Sequence, residues 1–302
     1  MKWEDMRQSE NVEERSGGGG GFGFGGTGMR LSGGMIVVII VISLLLGKNP
    51  LEMLALISGD GGPTVQTQSL PPSPAPGADA AKDPQRDFVA RVLGDTEDVW
   101  GDIFQQMGTR YVPPKLDLYQ GMAATACGAG QPAMGPFYCP GDQEVYLERG
   151  FFQELSQRFG APGDFARAYV IAHEVGHHVQ NQLGLNDKVQ QRLAGAPEAV
   201  RNDFSVRQEL QADCLAGVWG HSAAQRGLID TRDVESGIAA AMAVGDDRLQ
   251  KQSQGYVVPE AFTHGSSAQR AQWFKIGLTS GDIRRCNTFA ARDLQAATGG
   301  QR

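Results

Sequence analysis

Apolar positions divide the chain into a region with helical periodicity and a leading region without it. From residue 86 onward, apolar residues recur every three to four positions, as at Phe88, Val92, Val99 and Ile103. This spacing, with one short alternating stretch, predicts a strand over 143–147 and helices over 86–107, 148–159, 164–183, 199–225, 231–248, 266–278 and 280–298. We therefore expect residues 86–302 to form one α+β domain that is predominantly helical with a small sheet.

The chain before residue 86 contains two stretches with little capacity to build a core. Residues 1–34 run from a charged stretch into a glycine-rich sequence, and glycine loses more conformational entropy on folding than any other residue. Residues 59–85 are rich in proline, which is typical of an extended linker. We predict a disordered tail over 1–34 and a linker over 59–85.

Between these stretches lies an apolar segment, assigned here to residues 35–58. The uncharged run from Leu31 to Gly47 is 17 residues long, at the lower limit for crossing a bilayer. A buried strand and the core of a cleaved signal peptide are the alternatives. We predict one transmembrane helix, and hence a single-pass protein of the cell membrane. The basic residues of the tail favour a cytoplasmic N terminus and an extracytoplasmic domain.

Charge and cysteine content narrow the class of protein further. The formal net charge is −7, which argues against a general nucleic-acid-binding protein, so no nucleic-acid partner is expected. The four cysteines form no C-x-x-C pair, so a cysteine zinc site is not indicated. Cys127 and Cys139 flank one loop and could bridge across it, whereas Cys214 could reach Cys286 only through tertiary contact. Disulfides would fit an extracytoplasmic domain, and four buried thiols would fit a reducing compartment.

Three of the five histidines lie within one predicted helix, at His173, His177 and His178. The sequence from His173 to His177 is H-E-x-x-H. Residues four apart lie on one helix face, so the two imidazoles can bind one zinc ion. Glu174 can then reach an attacking water without being a ligand, as a general base must. A buried helix with hydrogen-bonded histidines is the alternative interpretation.

A catalytic zinc site has three protein ligands and one open position, so a third ligand is needed. Gln180 and Leu183 occupy the positions where the metzincin pattern requires glycine and histidine, which excludes that class. Glu209 and Asp213 are four apart on another predicted helix. One of them could bind the metal while the other accepts the second ring N–H of a ligand histidine.

Several motifs together resemble the family of bacterial "putative neutral zinc metallopeptidases". They are the segments Thr125–Gly128, Phe137–Pro140, Ala172–Gln180, Glu209–Gly217 and His264–Arg270, together with the opening Met1–Asp5 and the glycine run. The resemblance covers nearly the whole chain and implies a zincin-like domain that binds Zn²⁺.

The resemblance also implies roles for residues outside the H-E-x-x-H motif. The E-x-x-x-D element is similar to that of glutamate-ligand zinc peptidases. This similarity implies that Glu209 is the third zinc ligand and that Asp213 contacts a ligand without binding the metal itself. The alternatives for the third ligand are Asp213, His178, His221 and His264. The segment that contains His264 and Arg270 is similar to one near the active site of those enzymes. It implies that His264 stabilises the oxyanion and that Arg270 orients a carboxylate, although His264 could instead cap the helix that starts near Ser266.

These expectations combine into one function with two alternatives. The chain would be a membrane-anchored zinc-dependent endopeptidase that hydrolyses a peptide or protein substrate, with a zinc-activated water and Glu174 as general base. One alternative is a catalytically silent, membrane-tethered binding or regulatory protein on the same scaffold. The other is a structural anchor without a metal.

Overall fold

The structure, a computed structural model, describes residues 1–15, 83–130 and 135–289, and these belong to one compact unit. The strands are β1 (Val12–Arg15), β2 (Lys115–Tyr119), β3 (Ala123–Thr125), β4 (Gly128–Gly130), β5 (Phe137–Cys139) and β6 (Glu144–Glu148). The α-helices are α1 (Pro84–Gln106), α2 (Phe151–Gln157), α3 (Asp164–Gln182), α4 (Leu185–Leu193), α5 (Glu198–Gln225), α6 (Thr231–Ala243), α7 (Asp246–Gln254) and α8 (Ser267–Ser280). Short 3₁₀ turns cover Trp3–Asp5, Pro259–Ala261 and Ile283–Cys286. The fold is mostly helical with a small sheet, which confirms the predicted α+β class at that level.

The main sheet has the strand order β1-β2-β6-β5. The pairs β1–β2 and β2–β6 are parallel, and β5 pairs antiparallel with β6 at the edge. Leu116, Leu118, Val145 and Leu147 are buried and join the same apolar core as the helices. β3 and β4 form a separate two-stranded hairpin. The two edge strands of the main sheet are therefore β1 and β5.

Residues 1–15 belong to the folded domain, so the prediction of a disordered tail is wrong for this part of 1–34. Met6 and Val12 are buried in the core, and β1 pairs with β2 over four residues. The charges that suggested a solvated tail have specific partners: Arg7 Nη2 lies 2.8 Å from Glu97 Oε2, and Arg15 Nε lies 2.9 Å from Asp117 Oδ2. The predicted domain boundary at 86 therefore omits a strand from the far N terminus.

The predicted membrane anchor at 35–58 and most of the predicted linker at 59–85 lie outside the described residues. Among the residues that the structure does describe, no helix is long and apolar enough to cross a bilayer. The pairing of β1 with β2 has a topological consequence, because paired strands lie on the same side of any membrane. The expectation of a cytoplasmic N terminus and an extracytoplasmic domain, joined by a single crossing, is incompatible with this pairing.

Two of the predicted helices differ from the elements that the structure contains. The helix predicted over 231–248 is divided into α6 and α7 around Gly245, where a Cβ would lie 2.4 Å from the backbone nitrogen of Ser267. The chain must bend there because α8 begins against it. The helix predicted over 280–298 is replaced, within the described part, by the 3₁₀ turn Ile283–Cys286.

The helix α5 runs through the centre of the domain and packs closely against α3 and α8. A Cβ on Gly176 of α3 would lie 2.9 Å from the carbonyl oxygen of Ala212, and one on Gly277 of α8 would lie 1.9 Å from that of Cys214. Only glycine permits these two approaches. The first brings the backbone of α5 against the helix that carries the H-E-x-x-H motif, and the second brings α8 against α5.

All four cysteines are paired, Cys127 with Cys139 and Cys214 with Cys286. The first bridge joins the turn between β3 and β4 to the end of β5. The second ties the 3₁₀ turn that follows α8 back to α5. Both pairings considered from the sequence are therefore present.

Candidate metal centre

The H-E-x-x-H motif lies in the second half of α3, which is one of the most buried helices of the domain. Its apolar side chains enter the core, as with Phe165, which stacks on Trp219 at a ring-centroid distance of 5.8 Å. The helix ends at Gln182, and Gly184 follows in the left-handed region with φ 69°. His173 and Glu174 are buried and His177 is partly buried at the wall of a cleft of about 910 Å³. The fold thus places the motif at the base of an open cleft.

Glu209 of α5 lies opposite the two histidines. Its Oε2 is 3.2 Å from His173 Nε2, and its Oε1 is 3.3 Å from His177 Nε2. One ligand atom from each of these three residues lies within 4.8 Å of the others. The structure therefore brings together the two predicted histidine ligands and the favoured third ligand.

These three side chains fit a zinc ion by chemistry and by spacing. Two imidazole nitrogens and one carboxylate oxygen are a donor set known from catalytic zinc sites. Donor atoms at about 2.0–2.1 Å from a tetrahedral ion are about 3.3 Å from each other. Each ring lies at about that separation from one of the two Glu209 carboxylate oxygens, and one ligand atom from each of the three residues lies within 4.8 Å of the others.

The other candidates for the third ligand do not belong to the donor cluster. Three of them are histidines with other contacts, and Asp213 contacts the Nδ1 atom of His173. The ring of His178 points away from the three donors, because its Nδ1 is 3.0 Å from Tyr138 Oη and its Nε2 is 2.7 Å from the carbonyl oxygen of Val112. His221 Nδ1 is 2.8 Å from the carbonyl oxygen of Leu278. His264 lines the cleft without belonging to the donor cluster.

Asp213 lies behind His173. Its Oδ1 is 2.9 Å from His173 Nδ1, so the imidazole donates there and presents Nε2 to the donor cluster. Arg270 donates to both carboxylate oxygens of Asp213 at 2.9 Å, and the hydroxyl of Tyr169 donates to Oδ1. The side chain of Asp213 is fully buried, so these donors supply the compensation that its charge requires.

Gln180 contacts the Nδ1 atom of His177, as Asp213 contacts the Nδ1 atom of His173. Its Oε1 lies 3.0 Å from His177 Nδ1, and its Nε2 donates to the carbonyl oxygen of Gln208 at 2.7 Å and to Gln211 Oε1 at 3.1 Å. From the sequence, Gln180 excludes a metzincin and ends the Ala172–Gln180 motif, but no role at the metal centre was predicted for it. Its spacing of three residues from His177 on one helix is the signal that could have identified it.

His264 lies on the opposite wall and is held by Asp246. The Asp246 Oδ1 atom is 3.1 Å from His264 Nδ1, and Oδ2 accepts the backbone N–H groups of Thr263, His264 and Gly265 at 2.6 to 3.0 Å. The imidazole is half exposed toward the cleft. Asp246 was not singled out from the sequence, where nothing connects it with a histidine 18 positions later.

Burial, hydrogen bonds and neighbouring charges together shift the pKa values of these groups. Burial alone would raise the pKa of Glu209, but the rings of His177 and His173 outweigh it and hold that pKa well below its usual range. Burial likewise raises the pKa of Glu174, and the histidines oppose it only in part. The hydrogen bond to Asp246 raises the pKa of His264 above its usual value.

The helical domain and its His-His-Glu centre define a zincin-like class of protein, in which H-E-x-x-H is completed by a glutamate from a later helix. The family model described as "Putative neutral zinc metallopeptidase" matches residues 1–289, and the chain belongs to that family. The family implies zinc, and the structure contains a His-His-Glu cluster that could hold a metal ion.

The relatives that this chain resembles are themselves described as uncharacterized. The chain is 50% identical to the uncharacterized protein YpfJ of Escherichia coli K12 over 292 residues, which cover 96% of this chain and 99% of the relative. It is 42% identical to the uncharacterized proteins Rv2575 of Mycobacterium tuberculosis and Mb2605 of Mycobacterium bovis over 229 residues, which cover 72% of this chain and 75% of each relative. No solved structure gives a significant match.

Proposed function

We propose that the chain is a zinc-dependent endopeptidase attached to a membrane. One observation carries the proposal: Glu209, His173 and His177 converge at the base of a cleft that Glu174 also lines. Zinc, when bound there, supplies a Lewis acid that activates a water and polarises the scissile carbonyl. The cleft is large enough for several residues of a substrate chain, which favours an endopeptidase.

Three groups of this chain would act on the substrate and the attacking water. The Glu174 carboxylate accepts a proton from the water and passes it to the leaving amine. His264, held by Asp246, donates a hydrogen bond to the oxyanion that develops on the substrate. Asp213 keeps His173 oriented, and Arg270 balances the charge of Asp213.

A protease assay on the full-length chain tests this function. Glu174→Gln keeps the size of the side chain and removes the base, so we expect unchanged zinc content and a rate of casein or quenched-peptide cleavage lowered by about 10²–10⁴-fold. Glu198→Gln, at an exposed position of α5, is the matched control and should cleave at the wild-type rate. A wild-type chain that is loaded with zinc and cleaves neither substrate would instead support the silent binding protein.

Two observations support the proposed membrane attachment: the apolar segment at 35–58 in the sequence and the strand pairing of the fold. Since β1 and the rest of the domain lie on one side, the segment would attach the chain to the membrane without separating its flanks. Two disulfides favour an oxidising compartment. We therefore place both flanks on the extracytoplasmic face.

A further inference from the structure

The two histidines of the centre have unequal partners. His173 Nδ1 faces the carboxylate of Asp213, whereas His177 Nδ1 faces the neutral amide of Gln180. We infer that Gln180 is the positioning residue for His177, and that its amide selects the ring orientation and tautomer that direct Nε2 to the metal.

The amide of Gln180 can face His177 in only one way. Its Nε2 uses both hydrogens, one on the carbonyl oxygen of Gln208 and one on Gln211 Oε1. A flipped amide would direct its oxygen at two acceptors and its hydrogens at the ring. The side chain is 1% exposed, so water cannot replace the lost hydrogen bonds. Oε1 is therefore a fixed acceptor, and His177 must donate from Nδ1.

The orientation of the Gln180 amide is set by Gln211 and Cys286, which do not line the cleft. Gln211 Nε2 donates to the carbonyl oxygen of Cys286 at 2.9 Å, which leaves Gln211 Oε1 as the acceptor for Gln180. Cys286 is tied to α5 by its disulfide with Cys214. A directional series of hydrogen bonds thus runs from the disulfide-bonded turn through two glutamines to His177.

Zinc affinity of the full-length chain in detergent tests the inference. Chelator-stripped protein is titrated with Zn²⁺ against a chromogenic chelator, and far-UV circular dichroism reports folding. Gln180→Met keeps the volume and removes the acceptor, so we expect zinc affinity to fall by about 10–100-fold. Gln182→Met, on the same helix and hydrogen-bonded to Val112, should stay within about threefold of wild type.

Gln180→Glu separates positioning from packing. It keeps an acceptor for His177 but disturbs the contacts to Gln208 and Gln211, so a merely structural role predicts affinity as weak as that of Gln180→Met. Positioning predicts affinity at least about fivefold tighter than that of Gln180→Met. Equal affinities of these two variants, or wild-type affinity in a folded Gln180→Met, would overturn the inference. If Gln180→Met does not fold, the zinc affinity of Gln180→Glu is compared directly with that of wild type. A loss of zinc affinity beyond about tenfold then counts against a positioning role.

The inference rests on the metal centre of the proposed function, and the two can fail separately. Zinc affinity is measured without hydrolysis. Suppose that the zinc affinities of the variants follow the expected order but the wild-type chain cleaves no peptide. That result would contradict the proposed endopeptidase function and would leave the role of Gln180 unaffected.

Discussion

Asp213 Oδ1 lies 2.9 Å from His173 Nδ1 in a buried ion-pair network that also contains Arg270. A carboxylate behind a histidine ligand fixes the ring and makes it a stronger donor to the metal. The same carboxylate would be costly to bury without Arg270 and Tyr169. We therefore expect Asp213 to affect both folding and metal binding, and a suitable control can separate the two effects.

Asp213→Asn should weaken zinc binding by about 10–100-fold and also lower the free energy of unfolding. Asp95→Asn is the matched control, because Asp95 is also buried and is held by Arg226 and the Nε1 of Trp219, far along the sequence from the H-E-x-x-H motif. Chemical denaturation should show destabilisation in both variants. Chelator competition should show a loss of zinc affinity in Asp213→Asn alone, and an equal loss in both would assign the effect to folding.

Glu209→Ala should remove a ligand and reduce the zinc content of the purified full-length chain to a small fraction of wild type. Two histidines alone leave the ion with too few protein donors for tight binding. The measurement is zinc per chain by plasma emission spectroscopy, with Glu235→Ala at an exposed position of α6 as control. Full zinc retention in Glu209→Ala would exclude Glu209 as the third ligand.

The proposed action of Asp246 through His264 predicts non-additive kinetics. His264→Ala should lower kcat by about 10²–10³-fold, and Asp246→Asn should lower it by a smaller factor while KM stays within about threefold. The double variant should be no slower than His264→Ala alone, because Asp246 then has no imidazole to orient. Effects that multiply in the double variant would show that the two residues act independently.

Long helices and local motifs could be predicted from the sequence because their information is local. The periodicity of α1 and α3 and the spacing from His173 to His177 extend over a few turns, and the structure has both. Glu209 required the resemblance in addition to its spacing from Asp213, because no local pattern says which of two carboxylates faces a metal.

The features that sequence reasoning missed depend on distant partners. β1 contains one buried apolar residue, Val12, and its pairing with β2 joins positions about a hundred residues apart. Asp246 acquires its role only because the bend at Gly245 brings the start of α7 against the loop before α8. Such relationships are fixed by tertiary packing, which residue spacing does not encode.

Asp117 predicts a measurable dependence of stability on pH. Burial raises its pKa to about 6, although Arg15 lies 2.9 Å away. An acid whose pKa is higher in the folded state binds its proton more tightly there, so its contribution to stability is largest below the ordinary value near 3.8 and is lost as pH rises through about 6.

Asp117→Asn removes this proton-binding difference. We expect the loss of unfolding free energy between pH 4 and pH 7.5 to be smaller by about 2 kcal/mol in the variant than in wild type. Denaturant titrations at several pH values measure it, with Asp102→Asn at an exposed position of α1 as control. An unchanged pH slope in Asp117→Asn would contradict the assignment.

The pairing of β1 with β2 predicts that both flanks of the apolar segment are accessible from the same side of the membrane. Glu10 and Lys251 are exposed positions on the two flanks, and the native cysteines are all paired. Glu10→Cys and Lys251→Cys, each labelled with a membrane-impermeant maleimide in intact spheroplasts, should react equally, and permeabilisation should add little if the domain is extracytoplasmic. Equal protection of both until permeabilisation would keep the fold and move the domain to the cytoplasm. Labelling of Lys251→Cys alone would restore the single crossing and would require β1 to leave the sheet.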